Sequence, residues 1–320
     1  MTTPQAALEP SDDRSKTAAE GRMGRFNTWD TPWLNPRFLG GVAILVTILL
    51  MGLIGPLFWD TSMATERDRD ARFYPPVGFT NFRGQEGTWE HPLGTNNLGH
   101  DILSVALVGA PNTFLIGFIA ATIGITVGIL LGFTAGFVGG WADDFIRLIS
   151  DITLTIPALM VLIVLNSVLD RISLTTMALI IALFAWPRAT RQIRSQVLTM
   201  KESGYVQMAR LSGASTFDIM FKEMLPNLIP YLFASFIAGA TGAILAAVGL
   251  ETLGLGPQAV PTLGGTIYDA YRGSALSANF WWWWGVPTVL LAIMFIGLLL
   301  INLGLDEIAN PRLRRARKRG

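Results

Sequence analysis

The sequence predicts an all-α, polytopic membrane protein with about six transmembrane helices. Of its 320 residues, 51% are hydrophobic and only 15% charged, against about 25% charged in ordinary globular domains. The apolar residues come in long runs rather than at a period of two or four. A run of about 18 or more apolar residues crosses a hydrocarbon core of roughly 30 Å as a helix, and a helix satisfies its own backbone groups in lipid.

Taken in order, residues 1–37 are polar and rich in Pro, Asp, Arg and Ser, and read as a largely disordered cytoplasmic tail. A secretory signal would carry its apolar stretch much closer to Met1. A membrane domain then fills 38–305. Its spans are expected at 38–59, 110–138, 152–168, 172–187, 228–250 and 286–305. Pro157 lies near the start of the third span, and Asp170-Arg171 is a polar break before the fourth. That fourth run is short, so it needs shielding by neighbours or an extension at its polar end. Polar loops are expected at 60–109 and 251–285 on one side and at 188–226 on the other, with a basic tail at 306–320.

Orientation follows from lysine and arginine, because positively charged loops stay cytoplasmic. One side carries five in the N-terminal tail, Arg147, six in 188–226 and six in the C-terminal tail. The other carries Arg67, Arg69, Arg72, Arg83, Arg171 and Arg272. Both termini are therefore expected in the cytoplasm. The run Trp281 to Trp284 then falls at the outer end of the sixth span, where four consecutive indoles suit an interfacial belt better than a core.

The second span carries Gly124, Gly128, Gly132, Gly136 and Gly140, every fourth residue. Such a groove without side chains lets helix backbones approach closely. Two readings stay open: packing within the subunit, or a contact that slides when the protein changes state. Ionisable groups are nearly absent from the spans; Asp151, Glu251 and Asp306 lie at their ends. An ion-coupled carrier or channel, the rival reading, usually buries such groups near the midplane.

Catalytic patterns are missing. With no cysteine, thiolate metal sites and cysteine nucleophiles are excluded. There is no Gly-x-x-x-x-Gly-Lys-Ser/Thr loop for ATP, no His-Glu-x-x-His pair and no Gly-x-Ser-x-Gly elbow. His91 and His100, with nearby Asp101, are a weak metal candidate, and no metal site or nucleic-acid surface is expected.

The informative segment is 202–226. Tyr205 to Ser212 reads as a short helix ended by Gly213 in the left-handed region. Ala214 follows, and Ser215 with Asp218 has the form of a capping box opening a second helix. Phe217, Met220, Phe221 and Met224 give that helix an apolar stripe, and Pro226 is expected to close it before the fifth span. An exposed helix–turn–helix with apolar residues invites a protein partner; a helix lying on the membrane surface is the plainer alternative.

This stretch resembles the "EAA" loop of binding-protein-dependent ABC importer permeases: Glu-Ala-Ala, a glycine, then Leu-Pro. Gln207, Met208 and Ala209 stand at the Glu-Ala-Ala positions, Gly213 at the glycine, and Leu225-Pro226 at the Leu-Pro. Gln207 and Met208 depart from the pattern, and Glu223 stands where many members have isoleucine. Residues 91–104 resemble the His-Pro-Leu-Gly-Thr-Asp-x-x-Gly-Arg-Asp-x-Leu-Ser stretch of the C-type subunit of peptide/nickel permeases, with Asn96 for the acid and His100 for the arginine. Gly139–Asp143 with Arg147, Asp151 and Ile156-Pro157, then Leu250–Gly256, then Asn310–Leu313 resemble further family stretches in the right order.

The resemblance implies a type I importer permease. It would form half of a pathway for peptides or a similar small solute, in the cytoplasmic membrane of a bacterial or archaeal cell. Its partners would be a second homologous permease, two ABC ATPases holding ATP and Mg, a periplasmic or lipoprotein solute-binding protein, and membrane lipid. The chain itself would hold no cofactor and catalyse nothing.

Overall fold

The computed structural model describes residues 35–169 and 172–309. It is built from helices: α1 (Pro36–Phe58), α2 (Ile102–Phe133), α3 (Gly140–Thr155), α4 (Ala158–Val168), α5 (Leu174–Lys201), α6 (Gly204–Leu211), α7 (Thr216–Glu251), α8 (Leu263–Arg272) and α9 (Trp281–Ala309). A π-helical turn, Thr134–Val138, prolongs α2, and another, Ile219–Met224, lies inside α7. Among the described residues, extended pairing is limited to the bridges Thr80–Glu86 and Thr95–Asp101. Nearly all of the expected N-terminal tail, Asp170-Arg171, and the Asn310–Leu313 stretch with the rest of the C-terminal tail lie outside the described residues.

By length and composition, α1, α2, α7 and α9 can each cross a membrane, and α3 with α4 makes a fifth candidate bent by 73°. The short fourth run finds its place in α5. Its apolar half, Leu174 to Trp186, continues without a break into the polar stretch from Arg188 to Lys201.

Four boundaries differ from expectation. The second span begins at Ile102 rather than at 110, because Asp101 caps it by accepting a bond from the Ser104 N–H. Residues 140–151, expected as a connector, are the helix α3. The third span is broken at Pro157, which holds Ile156 in an extended conformation (φ −74°, ψ 123°). Residues 188–201 of the expected polar loop are helical, as the extension of α5.

The helix α2 is the central post of the bundle, packed against α5, α7 and α1. One core cluster joins Leu45 and Ile48 of α1 to Phe114, Ile244, Met294 and Leu298. A second joins Ile116 to Met177, Ile181, Ala243 and Leu250. The glycines of α2 lie along α5. A Cβ at Gly124, Gly128, Gly132 or Gly136 would stand 2.8, 2.5, 2.9 or 2.8 Å from side chains of Ala185, Ala189, Ile193 and Val197 respectively. Both rows step by four, so each rung meets its counterpart. Gly140 leaves the ladder: the π turn intervenes, its φ is +58°, and a Cβ there would meet nothing within 4 Å.

Candidate functional site

The segment singled out from the sequence sits at the arginine-rich end of the bundle. After α5 the chain turns tightly through Glu202 and Ser203, whose N–H bonds the Met200 carbonyl at 2.9 Å, and enters α6. The end of α6 is closed by the Ser212 N–H on the Met208 carbonyl and by the Ala214 N–H on the Ala209 carbonyl at 3.1 Å. Gly213 has φ +79°, so the turn is a glycine-terminated helix end of the Schellman type. A Cβ at Gly213 would meet nothing within 4 Å, so only the backbone conformation demands glycine there.

Ser215 then opens α7, accepting from the Asp218 N–H at 3.2 Å and donating to Asp218 Oδ2 at 2.6 Å. Lys222 Nζ lies 2.5 Å from Asp218 Oδ1 one turn on. Pro226 does not end this helix, contrary to expectation. The π turn just before it ends with the Leu225 N–H on the Met220 carbonyl, and the missing proline N–H falls where α-helical bonding restarts. The second short helix and the fifth span are therefore one continuous rod.

The expected four-residue stripe divides between two faces. Phe217 and Phe221 point outward and stack with ring centroids 4.9 Å apart. Met224 is fully buried and Met220 packs partly behind it, in a cluster with Phe133, Phe137, Ile193, Val197 and Ile219. The i→i+5 turn changes the helical period between Phe217 and Met224, so the four residues do not share a face. The outward apolar face also takes in Tyr205, Met208 and Leu211, the last 88% exposed. Gln207 is exposed, its Nε2 donating to the Glu202 carbonyl at 3.3 Å; Ala209 and Leu225 are half-buried, and Pro226 is exposed.

Residues not singled out from the sequence fasten this elbow. Val206, fully buried, anchors α6. Lys201 Nζ donates to the Phe137 carbonyl at 2.9 Å. Arg194 forms a two-pronged pair with Asp143 of α3, Nη2 to Oδ2 at 2.6 Å, and Arg191 meets Asp151 at 3.4 Å. The signal was there in part: positive residues at 191, 194 and 201 face one way on a helix. Their acidic and carbonyl partners are too distant in sequence to read.

The opposite end is knitted by the segment between α1 and α2. Asp101, fully buried, accepts from Trp59 Nε1 at 3.0 Å, from the Ser104 N–H at 2.8 Å and from its hydroxyl at 2.7 Å, with His91 Nδ1 at 3.3 Å. Trp282 and Trp283 are buried, correcting the expectation of an interfacial belt. They open α9 and pack with Phe73, Phe280 and Ile102, and Trp282 Nε1 donates to the Thr95 carbonyl at 3.0 Å. Of the four, Trp281 is exposed, at 39%, and Trp284 half-buried. His91 and His100 do not converge. Asn96 Oδ1 accepts from the N–H groups of Leu98 and His100, and burial, with Arg67 nearby, pushes the His100 imidazole pKa down. Among the described residues, no group of three His, Cys, Asp or Glu could hold a metal ion. A cavity of about 740 Å³ opens here, lined by Arg67, His100, Tyr268, Asp269 and Arg272 among others.

Residues 124–315, three-fifths of the chain and including the elbow, match the family model described as "Binding-protein-dependent transport system inner membrane component". The chain belongs to this family. It is 34% identical over 227 residues to the oligopeptide transport system permease protein OppC of Lactococcus lactis subsp. cremoris, covering 70% of this chain and 76% of that one. It is 31% identical over 292 residues to the di/tripeptide transport system permease protein DppC of Pseudomonas aeruginosa, covering 90% and 92%. Among solved structures it is similar to a chain of the MetNI methionine ABC transporter, at 23% identity and a TM-score of 0.48, over 62% of this chain and 89% of that one. The protein is thus an integral inner-membrane permease subunit of an ATP-driven importer, a transport component rather than an enzyme. Within this permease, the departure Asn96 acts locally, its side-chain oxygen capping the turn that carries His100.

Proposed function

We propose that this permease lines half of an import pathway for short peptides and takes up ATP-driven motion through residues 203–226. The supporting observation is the elbow itself. It presents Met208, Leu211, Phe217 and Phe221 outward on a preformed turn that runs unbroken into the span α7. Partner ATPases would hold ATP and Mg, and this chain has no phosphate-binding loop of its own. The other partners are a second homologous permease and a periplasmic or lipoprotein solute-binding protein. Peptide as the solute is supported by the names of the relatives.

In this reading the arginine-rich end and both termini are cytoplasmic, and the tryptophan end faces the binding protein. Closure of the ATPases pushes on the elbow, and α7 carries the push into the bilayer as a rod. Each ligand then biases one shared conformational equilibrium. The test is the importer purified with its partners in liposomes. Peptide-loaded binding protein should raise ATP hydrolysis and drive peptide accumulation. Hydrolysis unaffected by loaded binding protein would overturn the reading.

A further inference from the structure

We infer that Phe137, Lys201 and Arg210 form the joint that passes motion of the elbow to α2, and that Lys201 is its positioning residue. The inference rests on residues 203–226 being the ATPase contact.

The π turn Thr134–Val138 ends α2, and Gly139 (φ +72°) and Gly140 (φ +58°) turn the chain sharply away into α3. The last carbonyls of a helix have no intrahelical donor, so the Phe137 carbonyl needs one from elsewhere. Lys201, the last residue of α5, supplies it at 2.9 Å. The Phe137 ring, only 8% exposed, also carries two cations. Lys201 Nζ lies 5.7 Å from its centroid, and the guanidinium of Arg210 on α6 lies 5.4 Å from it. A cation near an aromatic face in a partly desolvated place is attracted more strongly than at an open surface.

One side chain of α2 is thus held by the end of α5 and by α6 together. Behind it, Val206 of α6 is buried in the same cluster as Phe133 and Phe137. The glycine ladder binds α2 to α5 along four rungs above this point. A displacement of α6 therefore loads the end of α2 directly, while α7 receives its own share through the π turn at Ile219–Met224. Phe137 is buried and Lys201 half-buried, so these two can be altered without touching the outward apolar face, whereas Arg210 on α6 is itself exposed.

The experiment uses the full importer in liposomes, with transported peptide per ATP hydrolysed as the readout and recovery of the ATPases on purification as the assembly control. Lys201→Met removes the carbonyl donor and one cation at nearly unchanged length. It should leave assembly intact and lower transport per ATP by about five- to tenfold, the scale of an ordinary coupling energy. Lys201→Arg should restore most of it, which a packing defect would not do. Phe137→Leu keeps an apolar filler but removes the ring. Combined with Arg210→Gln it should cost little more than Phe137→Leu alone, since loss of the ring already removes the guanidinium's contact. Normal coupling by Lys201→Met, or fully additive losses in the pair, would overturn the joint. Gly213→Val separates the levels: if it uncouples while Lys201→Met does not, the elbow keeps its role and only the joint fails.

Discussion

At the tryptophan end of the bundle, a buried carboxylate, a buried indole pair and a network of short-range turns lock the 60–101 segment onto α8 and α9. At the arginine-rich end, a two-helix elbow is held by buried Val206, Ile219 and Met224 and by a lysine at its base, while Met208, Leu211, Phe217 and Phe221 stay in the open. The difference teaches which end is shaped by its own chain and which is left for another. Buried groups such as Trp283 and Asp101 already have their partners or their packing. Leu211 is 88% exposed and Phe217 meets only the equally outward Phe221, an exposed apolar group on a rigid turn that fits the proposed contact surface. Substitution should therefore damage folding at one end and coupling at the other.

The largest effect is expected from Trp283→Ala, which empties a fully buried site beside Phe73 and Ile102. A loss of about 3–5 kcal/mol is typical for such truncations. It should lower the melting temperature of the purified permease and its yield in the membrane. An unchanged melting temperature would remove the contrast between the ends. Gly213→Val comes next and should do the reverse. The left-handed conformation costs an L-residue roughly 1–2 kcal/mol, more if β-branched, and tilts α6 against α7. The melting temperature should fall by only a few degrees, while peptide uptake at matched expression falls by about tenfold or more. A helix merely resting on the membrane would tolerate the change, so normal uptake would break the coupling assignment.

Gly128→Leu sharpens the comparison between the ends by probing what joins them. Its Cβ would stand 2.5 Å from that of Ala189, and overpacking of this kind costs about 1–3 kcal/mol. Both stability and uptake should drop, and Ala189→Gly should recover part of each. Cysteine labelling then fixes the sides. The chain has no native cysteine, so Arg272→Cys should react with an impermeant reagent added outside cells, and Ser195→Cys, equally exposed, should not. Reaction of Ser195→Cys would invert the topology.

The smallest effect is a pH dependence confined to the tryptophan end. His100 has its pKa lowered below 6.5 by burial and by Arg67. The unfolded segment therefore takes up a proton first as pH falls, and stability present above about 6.5 is lost progressively below it. Protection of the 91–101 amides against hydrogen exchange, relative to the intrinsic rate at each pH, should fall between pH 7 and 5. In His100→Asn that fall should disappear, with the elbow unaffected in both.

The sequence by itself determined what local chemistry decides. The long apolar runs mark the spans, and a glycine with a β-carbon-intolerant backbone ends α6. A serine three residues before an aspartate opens α7. The family motifs keep their order along the chain. Each depends on residues within one or two helical turns of one another, so composition and spacing suffice. The tertiary structure decided the rest. Trp282 and Trp283 are core because residues 73–95, far away along the chain, fold over them; a run of indoles cannot announce that. The aromatic stripe splits because a π turn, whose i→i+5 bonds leave no mark in composition, changes the helical phase between Phe221 and Met224. Pro226 fails to stop its helix for the same reason. The glycine ladder could face any helix until α5 brought its own four-residue repeat alongside. Lys201 finds the Phe137 carbonyl only because that ladder draws the two helices together, and contacts between distant segments are set by packing of the whole bundle, which no single stretch contains.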